Sequence, residues 1–157
     1  MTRRVSHRVF RRLKDSKGTS LVEAALITPL LLLLTFGICE FASLFYVYLA
    51  LENGVSQAAR FGVTGNVSPG LSREDSIRKA MRDATPTLTI EDGDFTFTHM
   101  APGGASWLAG SGDPGDVSRV QVTHHWGVLT PVLREFFASN MVTIKVESAM
   151  LNEPRFD

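Results

Sequence analysis

The chain is poor in the groups that staple or catalyse. Of its 157 residues only one, Cys39, is a cysteine. No disulfide can therefore close within the chain, and a folded domain must hold itself by its own core even in an oxidising compartment. Cys39 sits inside an apolar run, which leaves no cysteine–histidine nucleophile in a soluble part. No Ser/His/Asp set converges, and Gly110-Ser111-Gly112 is too sparse for a phosphate loop and has no clear helix after it. Charge is also missing in places. Ala24 to Cys39 carries none, and neither does Phe41 to Leu51. The formal net charge of zero hides a division: residues 1–18 hold seven basic residues and one acid, for +6, and residues 19–157 hold nine basic and fifteen acidic residues, for −6.

Metal ligation finds little support. His124 and His125 are neighbours on a strand pattern and point to opposite faces. Only His99 and His124 could pair across strands, with no third ligand. Glu91, Asp92, Asp94, Asp113 and Asp116 lie in turn-rich stretches, but their spacing does not match a calcium loop, and acids in turns are ordinarily solvated. The sequence predicts no metal, no cofactor and no enzymatic activity.

What is present is an anchor. Residues 21–51 are long enough, at about 1.5 Å per helical residue, to cross a hydrocarbon core of about 30 Å. A secretory signal would have an apolar stretch of about 7–15 residues followed by small residues at a cleavage site. This run is about twice that length and ends on bulky or acidic residues. The basic tail before it reads as a cytoplasmic flank rather than a nucleic-acid contact, which predicts an N-in, C-out single pass. Tyr46 and Tyr48 suit the outer interface. Glu23 and Glu40 are acids within the run, and ionisable groups there default to a functional reading; for Glu40 the plain alternative is an interfacial anchor. Pro29 frees the carbonyl of Ala25 and predicts a kink.

The junction Lys17-Gly18-Thr19-Ser20-Leu21-Val22-Glu23 resembles a type IV prepilin processing site. Val22-Glu23-Ala24-Ala25, Pro29-Leu30-Leu31-Leu32, Phe36-Gly37-Ile38-Cys39-Glu40-Phe41 and Gln57-Ala58-Ala59-Arg60-Phe61-Gly62 resemble TadE-like proteins, pseudopilins of the tight-adherence pilus system. Leu129-Thr130-Pro131-Val132-Leu133 and Ala149-Met150-Leu151-Asn152-Glu153 are weaker, collinear likenesses. The resemblance implies cleavage between Gly18 and Thr19 by a prepilin peptidase, and pairing of Glu23 with the new N-terminal amine of a neighbouring subunit. It implies residence in the bacterial inner membrane. The implied partners are the peptidase, other pilins or pseudopilins, the inner-membrane assembly platform and the lipid bilayer, with no nucleic acid. The competing readings are an uncleaved, signal-anchored extracytoplasmic binding or adhesion module and, with least support, an anchored hydrolase.

The expected organisation is a leader over 1–18, a transmembrane helix with its extension over 19–63, and an extracytoplasmic head over 64–157. Leu51, Val55, Ala58, Ala59 and Val63 recur at helical spacing. Ser72 with Asp75 predicts a capped helix, with Ile77, Ala80, Met81 and Ala84 as its apolar stripe and its end before Pro86. Strands are expected at Leu88–Ile90, at Phe95–Thr98 after an Asp92-Gly93 turn, at Val120–Trp126 and at Val142–Val146. Residues 101–116, with five glycines and two prolines, read as a long flexible loop. Thr130 and Pro131 open a short helix that buries Leu133, Phe136 and Phe137. The fold class is α+β: a long N-terminal helix and a small pilin-like head of about four antiparallel strands with short helices.

Overall fold

The structure, a computed structural model, describes residues 16–135 and 140–154. The basic leader before residue 16 and the expected burial of Phe136 and Phe137 lie outside the described residues. The chain divides into two compact units, one ending at Gly37 and one running from Ile38 to Asp157.

One helix, α1 (Ser16–Val63), crosses the division. In its first part every described side chain from Gly18 to Phe36 is exposed. Leucine-rich sequence forms the helix readily. Thr35 resolves its own hydroxyl by donating to the carbonyl of Leu31 at 2.8 Å, the back-bond open to a helical threonine. The helix runs on through Pro29.

From Ile38 onward α1 becomes the spine of the head. Val47, Leu51, Val55, Ala58 and Ala59 are buried, with Leu51 and Ala58 fully enclosed. The three-to-four-residue recurrence puts them on one stripe. Burying a Leu or Val of this kind contributes about 1.5–3 kcal/mol. Against it packs α2 (Arg73–Ala84), whose Ile77 and Met81 are buried. Ser72 caps α2: its hydroxyl accepts from the Asp75 backbone N–H at 3.1 Å and donates to the Asp75 carboxylate at 2.6 Å. The Ser72 hydroxyl and the Arg78 guanidinium hold the Asp75 carboxyl below its ordinary value. That part of the cap is therefore present at neutral pH and is lost as pH falls through the lowered value.

The sheet has four strands: β1 (Phe95–Met100), β2 (Leu108–Ala109), β3 (Val117–Gly127) and β4 (Met141–Leu151), in the order β2-β1-β3-β4 and antiparallel throughout. Alternation decides the faces. Phe95, Phe97, Val120, Val122, Trp126, Ile144 and Val146 turn inward. The rings of Phe95 and Phe97 stack at 6.0 Å, with the Arg78 guanidinium 5.0 Å from the centre of the Phe97 ring.

The α+β class, the strand number and the antiparallel pairing agree with the sequence expectation, but one strand is a different one. Leu88–Ile90 is not a strand. The Leu88 N–H closes a turn onto Thr85, and Ile90 reaches the core from irregular backbone. The Asp92-Gly93 signal is a single 3-10 turn, Asp92–Asp94, whose Asp94 carboxylate accepts from the Glu91 N–H. The glycine-rich stretch expected as a flexible loop contains β2, so it completes the sheet.

The approach of α1 to α2 depends on Gly54. A Cβ there would lie 2.5 Å from Thr85 Cγ2 and 3.3 Å from Met81 Cγ. Gly54→Ala should therefore destabilise the head by about 1–3 kcal/mol through overpacking, despite the helix propensity gained. Gly37→Ala, where nothing lies within 4 Å, should be neutral or slightly stabilising. Thermal unfolding of the two variants in one detergent compares them.

Candidate functional site

Glu40 is the single acid in the otherwise uncharged stretch from Ala24 to Leu51, and it is buried at 7% exposure. The residues that receive it are 89 and 90 positions away. Its carboxylate accepts from the Leu129 backbone N–H at 2.5 Å, from the Thr130 backbone N–H at 3.1 Å and from the Thr130 hydroxyl at 2.7 Å. The Arg134 charge adds an attractive interaction. Arg134 is itself held by the Val128 carbonyl at 2.8 Å. Glu40 thus does more than mark an interface: it ties α1 to the loop that leaves β3. The tie explains a detail of α3 (Pro131–Arg134). Thr130 precedes it with Pro131 at its first turn, as expected, but the Thr130 side chain does not cap the helix because its hydroxyl is used on Glu40.

A second tie closes the other end of α1. The Glu153 N–H donates to the Val63 carbonyl at 2.9 Å, and Arg73 Nη2 donates to the Gly62 carbonyl at 2.9 Å. These satisfy carbonyls that a helix end leaves without partners. Arg73 Nη1 also reaches the Gly112 carbonyl. Burial pulls the Arg73 guanidinium below its ordinary value, and Asp113 and Asp116 oppose the shift. Asn152, 1% exposed, accepts from the Ser118 hydroxyl at 2.8 Å and donates to the Asp113 carbonyl at 2.8 Å. This network pins the glycine-rich stretch to the end of α1. The two weak C-terminal likenesses of the sequence, around Thr130 and around Asn152-Glu153, are therefore the two segments that grip the helix.

The other sequence candidates separate. Gly18, Thr19, Glu23 and Pro29 are exposed on α1. His99 and His124 do not meet: His99 pairs with Ser118 and His124 with Ile144. The His99 ring instead stands 3.3 Å from the Gly110 carbonyl and 3.8 Å from the Asp116 carboxylate. His125 meets the Thr143 hydroxyl at 3.2 Å. Asp92 pairs with Arg82, and the Asp116 carboxylate accepts from the Asp113 N–H. Among the described residues no group of three or more His, Cys, Asp or Glu side chains could hold a metal ion.

These features define a class: a helix long and apolar enough to cross a membrane, whose later turns form the core of an α+β head. Residues 18–60 match the sequence model of the family described as TadE-like protein. Neither the curated proteins nor the solved structures gave a match.

Glu40→Ala leaves the Leu129 and Thr130 donors without their charged acceptor. Each such bond is worth about 1.5–3 kcal/mol, and because the three share one acceptor they will not add. We expect a loss of roughly 3 kcal/mol, with Glu40→Gln intermediate and the exposed Glu52→Ala near zero. Thermal unfolding followed by tryptophan fluorescence checks the order.

Proposed function

We propose that this protein is a minor pseudopilin of a Tad-type pilus. It is inserted in the bacterial inner membrane with its N-terminus cytoplasmic and its head outside, and a prepilin peptidase cuts it after Gly18. The observation that carries this reading is the position of the family match, which opens at Gly18 itself and includes Glu23, Pro29 and Glu40. The exposure of every described side chain from Gly18 to Phe36 adds support. Such a surface calls for lipid while the protein is in the bilayer and for neighbouring helices once it leaves.

On this reading the cut frees the amine of Thr19 five residues from Glu23. An ion pair in low dielectric gives register, since removing either partner leaves the other uncompensated. Pro29 leaves the Ala25 carbonyl without its usual donor, which eases bending of the helix on extraction. The protein acts by packing and assembly rather than by catalysis. Its working partners are the peptidase, other pilins or pseudopilins and the assembly platform.

Coexpression with the cognate peptidase should yield a protein of 139 residues beginning at Thr19, read by intact mass. A chain that keeps Met1 under those conditions overturns the proposal and favours an uncleaved anchored binding module. Glu23→Ala should still be cut but should fail to assemble, as scored by crosslinking to pilins and by pilus counts.

A further inference from the structure

The head carries a set of exposed apolar side chains at one end of its sheet. Leu129 is 62% exposed, Val132 59% and Met141 55%. They belong to one locality. Leu129 follows the end of β3 and is bonded to Glu40. Val132 lies in α3. Met141 opens β4 opposite Gly127, and the Val128 N–H donates to the Asn140 carbonyl at 3.2 Å. On α1, beside Glu40, Phe41 and Phe45 are also exposed. A groove of about 420 Å³ continues the apolar surface upward, lined by Leu44, Phe45, Tyr48, Val142 and Ile144 with Lys145 among them.

The level of this end along the chain is decisive. Starting from Leu21, the roughly twenty helical residues that span about 30 Å of hydrocarbon end at Glu40. The loop held by Glu40 is thus at the outer edge of the bilayer, and water is not its only neighbour. Three apolar side chains beside a membrane helix, with the basic Arg134 and Lys145 nearby and Glu135 as the opposing acid, match the composition of an interfacial segment. We infer that the base of the head is a membrane-docking surface: Leu129, Val132 and Met141 dip into the headgroup–acyl boundary of the outer face, and Arg134 and Lys145 face lipid phosphates. Glu40 then holds the docking loop at a fixed height on α1. The exposed Leu108 and Leu151 sit at the opposite end of the sheet, by their pairing with His99 and Val117, and take no part.

This inference rests on the membrane insertion in the proposed function, and the experiment separates the two. Full-length protein in a Cys39→Ser background receives one nitroxide at a time, through Ile27→Cys, Leu129→Cys, Val132→Cys, Met141→Cys or Lys79→Cys. Each is reconstituted in vesicles of phosphatidylethanolamine and phosphatidylglycerol. Collision with oxygen and with a water-soluble nickel chelate is then measured. The docking sites replace exposed side chains, so the fold tolerates the labels. We expect Ile27, Leu129, Val132 and Met141 to favour oxygen, with nickel accessibility several-fold below that of Lys79. If Ile27 favours oxygen while the three base sites match Lys79, the docking surface is overturned and the membrane helix stands. If Ile27 also matches Lys79, the membrane reading itself falls, and docking falls with it. Base sites shielded from both reagents, and opened when the protein is diluted in lipid, would mean contact with another protein copy, which also overturns the inference.

Discussion

A carboxylate in a long apolar helix must find donors or stay in water, and the fold of this protein is arranged around the first solution. Glu40 takes two backbone N–H groups and one hydroxyl from Leu129 and Thr130. That contact sets where β3 ends, because the chain must leave the sheet with its donors turned to α1. It also helps set where β4 begins, since the loop between them is closed by the Val128–Asn140 hydrogen bond. Asn140 there adopts a left-handed backbone, φ 54°, a conformation asparagine tolerates better than most residues. The sheet then lies along α1, and at the far end Glu153 and Arg73 take up the last carbonyls of the same helix. One helix is gripped at two levels, by Leu129–Thr130 at one and by Glu153 with Arg73 of α2 at the other.

Between these grips the packing is conventional. The stripe from Val47 to Ala59 faces the inward side of the sheet and the Ile77–Met81 face of α2. Gly54 permits the close approach to α2. Without a disulfide, the head relies on this core and on the polar network around Asn152. That network joins the Asn152 amide, the Ser118 hydroxyl and backbone carbonyls to the Arg73 guanidinium, and leaving one buried polar atom without a partner costs about 1–3 kcal/mol. The glycine-rich stretch is therefore held by hydrogen bonds where apolar side chains are scarce.

The parts legible in the sequence were those with a period or a cap. The α1 stripe, the Ser72 cap with the Ile77 and Met81 face, and the alternation in β1, β3 and β4 are local signals, and each element formed where its signal lay. Leu88–Ile90 misled because two alternating apolar residues satisfy a strand pattern, yet this short segment closes a turn onto Thr85 instead. β2 was hidden because two residues carry no period; only pairing of Leu108 with His99 and Ala109 with Thr98 makes them a strand. For the candidate site, Glu40 was visible as an anomaly of charge, but its donors were not. Backbone N–H groups leave no residue-type signature, and these lie about ninety positions away. The Thr130-Pro131 pair did signal a helix start, and its hydroxyl was claimed by the stronger acceptor.

The two acids of α1 meet opposite fates. Glu40 finds three donors within its own chain and keeps them as the protein moves. Glu23 is exposed. An acid left this way in an apolar helix is tolerated near an aqueous interface and is costly deeper in hydrocarbon. Movement that carries the inner end of the helix into hydrocarbon therefore raises the free energy of Glu23 unless a cation comes to meet it, whereas Glu40 takes its donors along. On the proposed role the amine of a neighbouring subunit would supply that cation. Glu40 therefore needs no outside partner for its hydrogen bonds, while on the proposed role Glu23 takes its partner from the assembly.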